Sequence, residues 1–478
     1  MRTRIGVLVA VGVSALLLSR CSLIVGDLQE CELPSDCPQD RTCSQGFCIR
    51  VPVGCRGNPD AGVLAVYGEG EGTNTIPIGA ALSLTDTAGN PSDIDLQELN
   101  ALVLALEEIN DRGVGNGRRF ALHVCDYAAN AEANVPDITR YLTDRVGVPA
   151  MIVANSSGVL RAAQETQPRD VLLISPNATS NEITALDNPD GGARLVWRTA
   201  PSDSIQGEVI TELLLGQSSF DAGVAGTGKV GIAYVNDAYG QGLKDIIFGG
   251  LLGQREVQAA QFEREGDVSG AVSQLDTFNP DLTVLIGFPG DVQRLITLAA
   301  SSANLSRAAP HQWFFTDAAK DPALDDGITP PTEIEGNYGT APAKGAGVAY
   351  FSFRSSFLSR FGVDANTYAF VEHDYDLMYA LALATAHAVG PNGQGPLTGT
   401  TLSAGLARLS DLGSSSFQVG PSSFTNARTA LEGGALINLE GASGKLQFDP
   451  ATGEAPSPIE LWQFRAGVIE KVEVLEPQ

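Results

Sequence analysis

Short apolar runs alternate with amphipathic stretches along most of this chain, and the alternation leaves few architectures open. Runs at 76–82, 120–125, 150–155, 171–175, 230–236, 282–288 and 313–316 have the length and residue types of buried strands. Between them, Leu99, Leu102, Val103, Leu106 and Ile109 recur at helical spacing until Gly113 stops the helix, and 205–215, 242–252 and 292–300 repeat the pattern. This is the signature of βαβ units, so the expected fold class is α/β with mainly parallel, doubly wound sheets. The body runs to roughly 400 residues, more than one such sheet usually holds, which predicts two lobes. Ligands of open α/β sheets sit beyond the carboxyl ends of the strands, so a site is expected in the loops just after each run.

Ahead of this body, residues 1–20 read as an export signal. Arg2 and Arg4 precede an uncharged stretch of 14 residues, Ile5 to Leu18, shorter than a membrane span. The stretch LSRC at 18–21 resembles a bacterial lipobox and predicts lipid attachment at Cys21, although Arg20 stands where a small residue is usual. Removing residues 1–20 would take the formal charge from −26 to −29. So anionic a chain repels phosphate backbones, and no nucleic-acid partner is expected.

Six cysteines remain, an even number suited to disulfides in an oxidising compartment: Cys31, Cys37, Cys43, Cys48, Cys55 and Cys125. Within the cysteine-rich segment 21–56, the run from Cys31 to Cys48 has few apolar side chains and cannot bury a core, so crosslinks must hold it. Zinc is disfavoured because the CxxC pairs of common zinc sites are missing. Pairing among the first four stays open, with Cys55 and Cys125 as the remaining pair. Residues 57–75 read as a linker rich in Gly, Pro, Glu and Asn.

Catalytic signatures fail on inspection. GVAGTGK at 223–229 has phosphate-loop spacing, but Val230 replaces the metal-binding hydroxyl and a strand follows where a helix is needed. Gly240 and Gly242 lack the third glycine of a dinucleotide fingerprint, and no G-x-S-x-G elbow exists. Four histidines occur, and Glu372-His373-Asp374 reads as a solvated helix start, since adjacent helical positions diverge. No catalytic residue, metal or cofactor is expected, and the chain reads as a binder.

Two loops could hold an anion. The run 150–155 ends in Ser156-Ser157-Gly158, and the run 171–175 ends in PNATS at 176–180, each before a helical stretch. Hydroxyls and free backbone N–H groups at a helix N-terminus favour a carboxylate, though Ser157 and Ser180 taken singly would serve as N-caps. A zwitterion also needs a counter-charge for its ammonium, and Asp317, ending the run 313–316, is the local candidate. Tyr239, after the run 230–236, could cover a ligand's apolar part. The bland alternative is a surface turn acid and a tyrosine packed on its own loop.

From about 76 to 464 these segments resemble, in order, the type 1 periplasmic solute-binding proteins of the leucine/isoleucine/valine-binding branch. The matching landmarks are IPIGAALSLT at 76–85, the helix 101–110 with Gly113, SPNAT at 175–179, RTAPSD at 198–203, YVNDAYGQG at 234–242, Tyr375-Asp376 and Phe448-Asp449. The resemblance implies two lobes joined by hinge strands: 76–201 plus 338–440, and 202–337 plus 441–470. It also implies a ligand carboxylate held by Ser156, Ser157, Ala178 and Thr179, with Thr85 bordering the cleft and Tyr239 and Asp317 closing from the second lobe. Asn155-Ser156-Ser157-Gly158 departs from the family loop, and insertions at 187–193 and 412–426 could reshape the cleft. The expected function is capture of an amino acid or similar small solute for an ABC importer by a membrane-anchored extracytoplasmic lipoprotein. A sensory module of the same fold is the alternative, mildly favoured by the cysteine-rich leader, and an exported enzyme is a third, disfavoured reading.

Overall fold

The computed structural model describes residues 29–33, 36–38, 41–44, 46–58, 62–68, 74–226, 228–390 and 396–476. The export signal and Cys21 lie outside the described residues. The chain divides into two compact units, Met1–Arg56 and Gly57–Gln478.

In the first unit, β1 (Arg41–Ser44) and β2 (Phe47–Arg50) form an antiparallel hairpin. Disulfides Cys31–Cys43 and Cys37–Cys48 tie this hairpin to the segment before it, which supplies the pairing that spacing left open. With sulfurs consumed in these bonds, the close approach of Cys31, Cys37 and Cys48 offers no thiolates to a metal. Neither Cys55 nor Cys125 is free.

The second unit opens with a six-stranded sheet. Its members are β3 (Val66–Tyr67), β4 (Thr75–Leu82), β5 (Arg119–Asp126), β6 (Ala150–Val153), β7 (Leu172–Ser175) and β8 (Val196–Arg198), in the order β3-β5-β4-β6-β7-β8. All neighbours are parallel except the edge pair β3 and β5. The stretch read as a linker therefore contributes a strand, and Val63 within it is buried in the lobe's core. A two-residue edge strand is too short to show a periodicity.

The chain then crosses into a second sheet built from β9 (Lys229–Val235), β10 (Glu256–Phe262), β11 (Leu282–Ile286), β12 (Gln312–Phe315) and β13 (Tyr338–Pro342). These five are mutually parallel in the order β10-β9-β11-β12-β13. After β13 the chain returns to the first lobe, where β14 (Ser416–Gln418) and β15 (Asn438–Glu440) form a small pair. It finishes in the second sheet as the antiparallel β16 (Ile459–Arg465) and β17 (Val468–Leu475).

Core membership leaves the first crossing where the sequence reading put it and moves the second and third. β13 lies in the second sheet, not at the start of a returning first-lobe segment, while Leu446, Phe448 and Ala455 belong to the first core. The crossings fall near 199–202, 343–345 and 456–458. Buried charges gather there. Arg198 pairs with Glu454, Lys320 with Glu460, and Lys344 with Glu372 at 2.7 Å.

Helix Val371–Val389 passes through the first core, with Leu377, Met378, Leu381 and Leu383 buried on all sides. Its first turn is not solvated as its charges suggested: Glu372, His373 and Asp374 are each 0 % exposed. The sequence reading placed a helix start here but could not reveal that both flanks of it are covered.

Candidate functional site

Both sheets have a point where strand order reverses, at β4 in the first and β9 in the second, and the loops beyond these carboxyl ends face each other across a cleft. From the first lobe come Asn155 and Ser156 after β6, and Asn177 and Thr179 after β7. The second lobe supplies Asp237 and Tyr239 after β9, Arg264 after β10, Phe288 and Pro289 after β11, and Asp317 and Ala318 after β12. The first turns of helix Asp93–Asn110 add Ile94, Asp95 and Glu98, and Phe370 enters just before helix Val371–Val389.

Of the sequence-derived candidates, Ser156, Thr179, Tyr239 and Asp317 thus share one cleft. Thr85, Ser157 and Ala178 are placed elsewhere. Thr85 donates to Asp126 at 2.6 Å, and fully buried Ala178 offers its carbonyl to Arg198. The Ser157 hydroxyl accepts the Ala238 N–H of the opposite lobe at 3.3 Å. Neither the 187–193 nor the 412–426 insertion contributes a lining residue.

Asp317 is the most constrained of these groups. It is 2 % exposed, and its carboxylate accepts the Tyr239 hydroxyl at 2.5 Å. The Gln206 amide nitrogen, turned toward it, lies at 3.2 Å. No Lys or Arg forms an ion pair with it among the described residues. Burial pushes its pKa up, and the bond from Tyr239 only partly offsets that. Behind it, Asp203 is raised well above the carboxylate range by burial and then by the Asp317 charge. An uncompensated buried carboxylate is costly, and a cation from outside would relieve the cost.

The opposite wall offers donors. The Ser156 hydroxyl accepts the N–H groups of Thr179 at 3.2 Å and Ser180 at 3.1 Å, which ties the two loops together and leaves its own proton free to point at a ligand. Ser156 is also the first residue of helix Ser156–Thr166, whose dipole favours an anion.

The local backbone is specialised to make this geometry. Asn155 and Phe370 both adopt positive φ, 62° and 64°, an uncommon conformation for such residues that marks positions held by their surroundings. Helix Ala238–Leu251 begins so close to β9 that a Cβ on Gly240 would lie 2.0 Å from the Val235 carbonyl oxygen. The Asp237 side chain caps that helix through the Gly240 N–H at 2.8 Å, and burial pushes its pKa to about 6.

Contacts between the rims hold the lobes against each other. Thr87 donates to Glu265 at 2.5 Å, Arg264 approaches Glu132 at 3.4 Å, and Asn130 donates to the Arg264 carbonyl at 3.3 Å. The Arg264 guanidinium also lies 3.8 Å over the Phe288 ring. Asp95, Glu98, Asp237 and Arg264 were not singled out from the sequence. For Glu98 a signal existed, since it continues the helical stripe of Leu102, Ala105 and Ile109 that faces the core.

A family model described as periplasmic binding protein matches residues 75–467. The chain is 28 % identical over 254 residues to a chemotactic signal transduction substrate-binding protein, BasB, of Halobacterium salinarum. That match covers 50 % of this chain and 58 % of the relative, so the chain spans little more than half the length of that curated protein. Among solved structures it superposes on the leucine-binding protein LivK of Thermotoga maritima with a TM-score of 0.66 at 17 % identity, covering 84 % of this chain and 99 % of that one. For LivJ of Streptococcus pneumoniae in complex with isoleucine the TM-score is 0.65 at 17 % identity, covering 84 % and 100 %.

Proposed function

The chain belongs to the periplasmic binding protein family, in its type 1 leucine/isoleucine/valine-binding branch, and we propose that it captures an amino acid or similar small polar solute between its lobes for an ABC importer. Family membership implies an extracytoplasmic location. The observation that carries the ligand reading is the buried Asp317 carboxylate, without an ion pair, facing the hydroxyl of Ser156 and the N-terminus of its helix. An ammonium group would sit against Asp317 and Tyr239, and a carboxylate against Ser156 and Thr179. Binding would favour the closed arrangement because the two ends of the ligand are held by different lobes. The chain acts as a receptor without turnover, anchored through lipid on Cys21.

Melting in the presence of single amino acids tests this. A true ligand raises the melting temperature by mass action, and Asp317→Asn abolishes the shift while leaving the unliganded melting point within a few degrees. A retained shift in that variant would remove the ammonium assignment. The resemblance to BasB favours a sensory role as the second reading. Solute uptake by cells lacking the protein separates the two, because only an importer receptor is needed for uptake.

A further inference from the structure

We propose that the solute carries a second cationic group, held by Asp95 and Glu98, so that the ligand class is a basic amino acid or a related diamine; this rests on the reading of the cleft given above.

The charge count is lopsided. Asp95, Glu98, Asp237 and Asp317 line the cleft against one guanidinium, Arg264. Arg264 is already engaged, bridging to Glu132 and stacking on Phe288. Asp95 accepts the hydroxyls of Ser83, at 3.0 Å, and Ser92, so a zwitterion with an apolar side chain would satisfy Asp317 and leave chiefly Glu98 facing hydrocarbon, an arrangement with a large desolvation cost.

Glu98 is the informative residue. It is 4 % exposed, lines the cleft, and has one partner, the Asn177 amide on Oε2 at 2.8 Å. Its other oxygen accepts nothing among the described residues. Asp374, 0 % exposed, stands behind it with both carboxylate oxygens unbonded. Burial raises Glu98 well above the glutamate range, and the Asp95 charge adds to this. Asp374 is raised by burial and then by Glu98. Glu98 and Asp95 line the cleft and Asp374 is buried behind Glu98, so a cation with several N–H donors placed at Glu98 would relieve the crowding of these carboxyls. Ile94, Phe288 and Phe370 supply the apolar walls that a methylene stem between two cationic ends would need.

Calorimetry with the protein against L-arginine, L-lysine, agmatine, putrescine, L-citrulline, L-norleucine and L-leucine tests the assignment. The expected result is at least tenfold tighter binding of a dicationic compound than of the neutral citrulline, norleucine or leucine. If arginine or lysine leads, the ligand is an amino acid; if agmatine or putrescine leads, it is a diamine that makes no use of the carboxylate wall. Glu98→Gln, or Asp95→Asn should the first variant fold poorly, should weaken the dicationic compound at least tenfold and the neutral ones little. Neutral amino acids binding as tightly as basic ones, in an Asp317-dependent manner, would overturn this inference and leave the amino-acid reading of the cleft intact. Failure of every compound, zwitterionic and cationic, would overturn both.

Discussion

Replacing Lys344 by Met should destabilise the protein by about 3–5 kcal/mol, because it breaks a buried ion pair from one side. Lys344 and Glu372 are 4 % and 0 % exposed at the side chain, and Nζ lies 2.7 Å from the carboxylate. At an effective dielectric constant near 20 their gross attraction is about 6 kcal/mol, most of which offsets the cost of desolvating both charges. Nζ also donates to the Tyr368 carbonyl at 2.5 Å, and losing that bond adds about 1 kcal/mol. Glu372 already has one oxygen without a partner among the described residues, and His373 and Lys320 act on it through charge without an ion pair to take the place of the lysine. The pH dependence follows with a definite sign. Burial acts to raise Glu372, but Lys344 prevails and holds it below the ordinary 4.5, so in the wild type the pair contributes stability above that pH and loses it as pH falls through the folded value. In Lys344→Met burial, the largest influence, is opposed mainly by His373, so the folded pKa should rise above 4.5 and stability should fall as pH rises through that window. Urea unfolding should therefore show a larger deficit at about pH 8 than at about pH 5, and adding Glu372→Gln should recover at least half of it. A single-variant loss below about 1 kcal/mol, a deficit independent of pH, or a double variant no better than the single would refute this account of the hinge.

Two further outcomes are expected, beyond those for Asp317 and Glu98. Gly240→Ala must move helix Ala238–Leu251 away from the Val235 carbonyl, at a cost of about 1–3 kcal/mol or more, and should weaken ligand binding because Tyr239 moves with it. Equal stability by thermal melting would show that the loop yields more easily than the packing implies. Cys21→Ser should shift the protein from the membrane to the aqueous fraction of expressing cells and eliminate incorporation of labelled fatty acid; an unchanged distribution would rule out the lipid anchor.

The pattern of apolar runs was enough to establish the α/β class and most of the parallel strands, because a strand buried on both faces must be almost wholly apolar. β4 to β7, β9, β11 and β12 could be read in this way, and the loops after them carry Ser156, Thr179, Tyr239 and Asp317, which line one cleft. The edge strands β3 and β17 were illegible for the complementary reason: an edge is half solvated or too short to carry a period. Which polar residues are buried was decided only by the tertiary structure. Glu372 and Asp374 look like ordinary first-turn acids along the chain, and a local pattern holds no information about a wall supplied by residues far along it. The same is true of the counter-charges. Lys344 meets Glu372, and Asp317 is left without a cation, because two sheets with separate crossings bring these side chains together or hold them apart. The residue types in sequence therefore specified two layered lobes with polar loops between them. The acidity of the cleft was set by packing in three dimensions.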